Sequence, residues 1–555
     1  MRNIFTFTSS GILVCLLFII LYGAFRTSSL SLPYHQDEYK WALIAEGKIA
    51  PIGTIPHPPF GEHLYHVTGK LIGFDHLRVV PFTAGLIALL FLYLLTKELY
   101  SKKAAYFATF FYGISYWAVL GNTQIDIDGA FLPMWSLIFF YALLRTQSLE
   151  KISYRSLWPM LAGGFGLLAK LPFVLNFAAA FVWGAITPLA FRVREMRNAC
   201  IVAVGAAIAF GALLLLYQTF FYPYVQLSLL VSWGLKNTVA NTTGRDFVHL
   251  GYQLMRAAIL AGPMLLLLAL HLRSTTWNTA ERRAHTLLYA WIGMQLLFYV
   301  VIGNFSHGPL ERYLMALIAP VCILAGAYCN SAWQESSRTF SVVILMSIAG
   351  IVFYGALANL SPTTLPGYPK SQFVSNLLTG EWNFLFPITG GSGPSGFYIP
   401  VLFILGMWII ALLLGILILR RKATALALPL LIGVVVSYNV LFIREATGQG
   451  LYPTAAASTQ AALQYLKATS PQATVITYND HGAYELHQEG RYAGRFYAVP
   501  EYEENNLQKL KSKNYSGQVL VTDFPEINKH SGYWAYLSDC MQVYHRSISY
   551  IFQCK

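Results

Sequence analysis

The sequence predicts a mainly α, polytopic transmembrane helical bundle of about 13 spans followed by a small C-terminal α/β domain. Three observations carry that reading. The 555 residues are 56% hydrophobic and 11% charged, with a mean hydropathy of +0.50, whereas a soluble domain carries about 25% charge. Apolar runs close to the ~20 residues needed to cross ~30 Å of hydrocarbon recur from the N-terminus to about residue 443. Beyond that point the chain turns polar, and short β-rich runs alternate with helical patterns.

Taken in order, the first run, 4–26, has only Arg2 ahead of it and lacks a clear small-residue cleavage site, so it reads as an anchored helix and not as a signal peptide. An outer loop, 27–78, follows. Within it, 37–45 and 62–72 have the mixed apolar and polar positions of helices lying in the membrane interface. Spans are expected at 79–99, 104–121, 129–145, 157–172, 173–191 and 199–222. The next outer loop, around 223–250, carries Trp233, Lys236, Arg245, Asp246 and His249. Spans at 251–272, 286–303, 314–332 and 339–358 lead to a loop at 359–397, whose Gly-, Pro- and Ser-rich stretch 389–396 suggests a mobile cover over a site. Two spans, 398–420 and 424–443, close the bundle, giving a membrane domain of 1–443 and a tail domain of 444–555. In the tail, a helical pattern at 455–468 precedes a strand at 474–478. A lysine-rich helical stretch near 507–513 precedes a strand at 518–522, and short strands at 541–545 and 549–553 end the chain.

Charge fixes the orientation. With the N-terminus inside, the cytoplasmic ends collect Lys97, Lys102, Lys103, Arg145, Arg192, Arg194, Arg197, Arg282, Arg283, Arg420 and Arg421, which account for most of the formal charge of +13. This is the positive-inside bias and not the footprint of a nucleic-acid partner. The opposite face is nearly neutral but rich in acids and histidines, so function belongs on the non-cytoplasmic side. Cys15, Cys200, Cys322 and Cys329 fall in or at the ends of apolar runs, where a thiol acts as a small hydrophobe. Cys540 and Cys554 lie in the tail. A disulfide there suits an oxidising compartment and would contribute about 3 kcal/mol for so short a loop.

The chemistry is concentrated in a few polar positions. Asp37 and Glu38 sit in the loop after the first span, with His35, His57, Glu62, His63 and His66 further along it. Asp126 and Asp128 occupy the short turn between the third and fourth spans. An acid at a helix centre costs roughly 2.5–3.5 kcal/mol, so acids kept at the mouth of a bundle point to chemistry at the membrane face. The bland alternative is a solvated loop for the first pair and a turn element, Asp128-Gly129, for the second. Lys170 stands on the side poor in Lys and Arg, where snorkelling to headgroups is the ordinary explanation. Arg312 starts a span from the outside, and Arg78 and Arg245 are further basic residues on that face.

The order of these motifs resembles that of the GT-C membrane glycosyltransferases. An acid pair follows the first helix, a polar residue (His57) precedes Pro58-Pro59, and Arg78-Val79-Val80-Pro81 enters the second span. Within that class the layout is similar to the lipid A aminoarabinose transferases and the protein O-mannosyltransferase-like (PMT-like) family. The glycine-rich helix 163–166 ending in Lys170-Leu171-Pro172 resembles the family's Thr-Lys-Gly-Pro, with Ala169 and Leu171 in place of Thr and Gly. Arg312-Tyr313 resembles its Arg-Tyr-Leu-x-Pro region. The resemblance covers about residues 1–330, and the tail only in its position and mixed character.

The resemblance implies a hexosyl- or pentosyltransferase that uses a polyprenyl-phosphate sugar as donor. The acceptor would be a lipid-linked glycan, a lipopolysaccharide or a protein of the cell envelope, and the setting a bacterial-type inner or plasma membrane. Asp37, Glu38, Asp126 and Asp128 would be catalytic, and Lys170, Arg312, His57 and Arg78 would meet the donor phosphate. The family often has Glu-Lys-Pro-Pro where Pro56-His57-Pro58-Pro59 stands here, and Pro56 cannot ligate a metal. Whether a divalent metal ion is a cofactor stays open, with Glu62 and His63 as weak substitute ligands. No P-loop, Rossmann fingerprint, nucleophile elbow or Cys-x-x-Cys motif is present. A lipid or glycolipid transporter (flippase) is the alternative, although such proteins place binding groups near the midplane, often on repeated halves.

Overall fold

The computed structural model describes residues 9–50, 57–147, 156–187, 189–222, 227–232, 246–273, 279–303, 310–333, 337–360, 370–388, 397–421, 423–448, 450–497, 500–512 and 517–554. Pro56, Trp233, Lys236, Arg245 and the stretch 389–396 lie outside these residues. Helix α1 (Ser9–Ala24) leads to α2 (Asp37–Glu46) and α3 (Phe60–Ile72). Asp37 and Glu38 in the first turn of α2 suit the positive end of its dipole. The helix stops at Gly47, whose left-handed φ of 80° brings its N–H and that of Lys48 back to the Ile44 and Leu43 carbonyls.

The bundle continues through α4 (Val79–Leu99), α5 (Lys102–Ile114), α6 (Tyr116–Thr123), α7 (Phe131–Gln147), α8 (Leu157–Ala169), α9 (Val174–Ile186) and α10 (Leu189–Phe220). After it come α11 (Phe247–Ala261), α12 (Met264–Arg273), α13 (Thr279–Leu296), the short α14 (Leu310–Tyr313), α15 (Ile318–Ala332) and α16 (Ser337–Leu360). Helix α17 (Lys370–Thr379) and a two-stranded antiparallel ribbon, β1 (Leu385–Ile388) with β2 (Phe397–Pro400), precede α18 (Val401–Leu419) and α19 (Thr424–Thr447).

Among the described residues, seven helices are long and apolar enough to cross a membrane, and α11 with α12, bent by 94°, makes an eighth. Four shorter apolar helices add to these, and the span expected at 104–121 is broken at Ser115, whose backbone is extended (φ −63°, ψ 120°). Each of the expected spans therefore carries helix, but several are too short to cross alone. Non-helical backbone at such breaks is tolerated where protein buries it, and all of α6 is buried. The span Glu311–Ala332 is 89% buried and Thr339–Leu360 only 11%, which puts the first in the centre of the bundle and the second on its rim.

Two glycines shape the acidic turn. A methyl group at Gly121 would lie 2.6 Å from the Gly129 Cα, so α6 and the turn after it touch backbone to backbone, an approach open only to glycine.

In the tail, α20 (Leu451–Thr469) is followed by a five-stranded sheet of order β4-β3-β5-β7-β6. Strand β3 (Val475–Tyr478) runs parallel to β4 (Tyr492–Phe496) and β5 (Gln518–Thr522). Strand β7 (Ser549–Gln553) is antiparallel to β5 and to β6 (Met541–Arg546). Helices α21 (Ala483–Gln488), α22 (Pro500–Ser512) and α23 (Gly532–Ser538) complete it, and Cys540 is disulfide-bonded to Cys554. Strands β3 and β5 are buried along their whole length, as expected of parallel strands covered on both faces. Helix α21 packs against α2, and Ala483 and Tyr484 join the apolar core of the bundle. Helix α2 is therefore not an interfacial helix: Glu38, Tyr39 and residues 41–45 are buried, because the tail covers the side that was expected to meet the headgroups.

Candidate active site

The bundle ends present four short pieces of chain to one another: the start of α2, the turn 124–130, the end of α8 and the start of α14. Arg312, on α14, lies at their centre. Its Nη1 donates to Asp37 Oδ2 (3.1 Å), its Nη2 to Asp126 Oδ1 (2.9 Å) and its Nε to Asp128 Oδ2 (3.1 Å), with Asp126 Oδ2 2.7 Å from Nε. Lys170, at the C-cap of α8, is paired with Asp128 Oδ1, its Nζ 5.0 Å from the centre of the Tyr313 ring. Lys40 adds a 2.8 Å contact to Asp37 Oδ1. The structure thus joins Asp37, Asp126, Asp128, Lys170 and Arg312, from sites up to 275 residues apart in sequence, into one network.

Burial divides the acids. The side chains of Asp126 and Asp128 are 2% and 0% exposed, whereas that of Asp37 is 26% exposed. Only Asp37 is open enough to meet an acceptor. Burial opposes its ionisation, but Arg312 and then Lys40 outweigh that and hold its carboxyl below the ordinary carboxylate range.

The supports of this network are local. Tyr65 donates to the Asp126 carbonyl (2.7 Å) and the Ile127 N–H to Asp126 Oδ1 (2.7 Å), which fixes the turn. Asn122 reaches the Gly129 carbonyl and is itself held by the buried Arg26. Arg312 is anchored through its neighbour: Glu311 pairs with Arg256 of α11 (2.7 Å, both buried), and its carbonyl accepts from Trp117 Nε1. Arg26, Arg256 and Glu311 were not read as site residues. Arg256 had a signal, being an ionisable residue inside an apolar run.

Two of the expected site residues serve elsewhere. Arg78 does not face a phosphate. Its guanidinium donates to both Glu38 oxygens and to the carbonyls of Ser29, Leu32 and Pro33, at 3% exposure. Glu38, expected to be catalytic, is fully buried and also accepts from the Ile125 and His35 N–H groups. The Arg78–Glu38 pair ties the first outer loop to the acidic turn and has no open oxygen for chemistry.

His57 lies against Trp41 with nearly parallel rings, 5.8 Å apart at 5°. Burial first, then Lys170, pushes its pKa down to about 3, so it is neutral at pH 7 and offers a donor phosphate only a neutral hydrogen bond. Glu62 is buried, and His63 Nδ1 is 3.3 Å from Tyr222 Oη, among the rings of Tyr217 and Phe221 at the end of α10. Among the described residues no three His, Cys, Asp or Glu side chains gather to hold a metal ion. Among the described residues, Asp37, Asp126 and Asp128 converge around Arg312, with Lys170 beside it. A divalent ion would have to take the place of the guanidinium, so the residues as arranged do not fit one.

Known proteins place this geometry in a wider setting. Residues 56–241 match the family described as dolichyl-phosphate-mannose-protein mannosyltransferase. No protein of curated function matches the chain's sequence. Among solved structures, ArnT from Cupriavidus metallidurans bound to undecaprenyl phosphate is 14% identical, with 98% of each chain covered and a TM-score of 0.54. The same protein in its apo state is 14% identical over 98% of this chain and 97% of that one, with a TM-score of 0.55. The Archaeoglobus fulgidus oligosaccharyltransferase in its apo form is 12% identical over 92% of this chain and 68% of that one, with a TM-score of 0.47. At such identities the likeness to ArnT speaks for the fold, end to end. The chain is a multi-pass membrane protein with the fold of ArnT, and its residues 56–241 are similar to the dolichyl-phosphate-mannose-protein mannosyltransferase family.

Proposed function

We propose that the chain is an integral-membrane glycosyltransferase that moves a monosaccharide from a polyprenyl-phosphate donor to a cell-envelope acceptor on the non-cytoplasmic face. Residues 1–443 are its membrane catalytic domain, with 27–78 as the catalytic outer loop, and 444–555 its tail domain. The observation that carries the proposal is the meeting of Asp37, Asp126 and Asp128 with Arg312 and Lys170 at the bundle mouth. The ArnT likeness and the family match over 56–241 support it.

In the reaction, the acceptor O–H attacks the anomeric carbon as the bond from that carbon to the donor phosphate oxygen breaks. The electron pair stays on the phosphate, which gains one negative charge, and the proton passes to Asp37 as general base. A single displacement inverts the carbon. Arg312 and Lys170 stabilise the charge that grows on the phosphate. In the structure both cations are already paired with aspartates, so a donor phosphate competes for them. When it draws Nη1 of Arg312, Asp37 loses the neighbour that contributes most to lowering its pKa and becomes a stronger base. Asp126 and Asp128 hold Arg312 in position.

The test is transfer by the purified protein in lipid nanodiscs, supplied with a panel of polyprenyl-phosphate hexoses, pentoses and amino sugars and an envelope extract. Mass spectrometry should find one sugar on an extract component and free polyprenyl phosphate in equal amount. Movement of donor across the bilayer with no glycosidic product would favour a flippase and end this reading.

A further inference from the structure

Beside the packing of α21 on α2, the tail meets the start of α2 at a short loop, Asn479 to His481, at the C-terminal end of β3. Asn479 and Asp480 both have left-handed backbones (φ 53° and 64°). This conformation is uncommon outside glycine, and Asn and Asp are among the side chains that tolerate it best. The loop touches the start of α2 at two points. The Asn479 carbonyl is 2.5 Å from Nε2 of the buried His35, whose ring lies 4.9 Å from that of His481. Asp480 Oδ2 accepts from Arg495 Nη1 (2.7 Å), and that same nitrogen donates to the hydroxyl of Tyr39 (3.0 Å). His35 and Tyr39 lie two residues to either side of Asp37. The N-cap residue between His35 and Asp37, Gln36, is itself left-handed (φ 50°).

Asp480 is fully buried, yet among the described residues its Oδ1 has no hydrogen-bond partner. A buried carboxylate left half satisfied is costly, and a core position would favour an apolar residue. Its geometry is instead that of a clamp: one oxygen fixes Arg495 (with Tyr497 also bonded to it) and Arg495 fixes Tyr39.

The geometry points to Asp480 as a positioning residue for transfer, which acts through Arg495 and Tyr39 to hold α2 in register so that Asp37 meets Arg312. The role rests on the proposed transferase reading, and the assay separates the two. Displacement of a reacting group by about 1 Å costs about a hundredfold in rate. Asp480→Asn should therefore lower kcat roughly 10- to 100-fold, with the donor KM within about twofold, because neither Lys170 nor Arg312 is touched. Tyr39→Phe, which removes one hydroxyl and no charge, should lower kcat about threefold or more. The double variant should do no worse than Asp480→Asn, since both act through one contact.

Hydrogen exchange on the full-length protein in nanodiscs tests the hold without any substrate. Amides of 37–46 should exchange about tenfold faster or more in Asp480→Asn, while those of β3, β5 and α15 keep their protection. If α2 exchanges as in the wild type, or if kcat falls only as far as the folded fraction falls, Asp480 is a structural residue and the inference is overturned. If the wild type transfers no sugar, the transferase reading fails while the exchange result still decides whether the tail holds α2.

Discussion

Replacing Arg312 with lysine keeps the charge and removes the shape. In the structure the guanidinium uses Nε, Nη1 and Nη2 to reach three carboxylates. A lysine ammonium is a single point with no planar fork, so it can serve one or two of them. The variant loses about one or two charge-assisted hydrogen bonds, each about 1.5–3 kcal/mol, or about 3 kcal/mol of stability. A fold with about 5 kcal/mol to spare would keep about 2 kcal/mol and stay roughly 97% folded, so unfolding cannot cause a large rate loss. The effect on catalysis is larger. Loss of one preorganised donor at a developing charge costs about 2.7–4 kcal/mol, or 10²–10³ in kcat. Single-turnover transfer in nanodiscs, normalised to folded protein by gel filtration, should show that loss in Arg312→Lys. A rate within about threefold of wild type, or a change confined to KM, would refute the placement of Arg312 beside the reacting phosphate.

Other perturbations follow from the same geometry. Because the Arg312 guanidinium occupies the centre of the three carboxylates, incubation with EDTA should leave the transfer rate unchanged within twofold, and a tenfold loss restored by one divalent metal would reverse that reading. The Asp37 pKa is lowered on folding, so its contribution to stability is complete above its unfolded pKa of about 3.9 and lost as pH falls through the lower folded value. Denaturation of wild type and Asp37→Asn should thus differ at pH 7 and draw together as pH falls through the folded value; a difference that does not change with pH would contradict it. Gly121→Ala forces a methyl against the Gly129 backbone at 2.6 Å and should cost about 1–3 kcal/mol or more, with loss of transfer, because the turn bearing Asp126 and Asp128 moves. A neutral result in thermal denaturation would mean that the two glycines are not in contact.

The residues of the network stood out in sequence because charge is expensive near hydrocarbon. Asp37, Asp126, Asp128, Lys170 and Arg312 each interrupt an apolar pattern or begin one, and that is visible without coordinates. What each one faces is not. Arg78 and Arg312 look alike as basic residues at the outer mouth of a span, yet one is closed over Glu38 and three carbonyls and the other stands among three aspartates. That distinction depends on contacts spanning 40 residues or more. The helical content of 37–46 was legible, but its burial was not, because the tail that covers it is more than 400 residues away. Strand β4 was missed because Tyr492-Ala493-Gly494-Arg495-Phe496 is half-buried and includes a glycine, which weakens any strand pattern. Strand β1 and helix α17 were lost inside a loop judged by its Gly and Pro content, and β2 was absorbed into the start of the span expected at 398–420. The break at Ser115 has no proline to announce it.

The most direct measurement is sugar transfer by Asp37→Asn in nanodiscs with a donor that the wild type uses. The substitution keeps the size of the side chain and removes the acidity of the one network aspartate open to an acceptor. The expected result is loss of glycosidic product by at least about a hundredfold, with the donor KM unchanged within about twofold because Lys170 and Arg312 are intact. Transfer at the wild-type rate by a folded Asp37→Asn protein would show that the base lies elsewhere and would contradict the account.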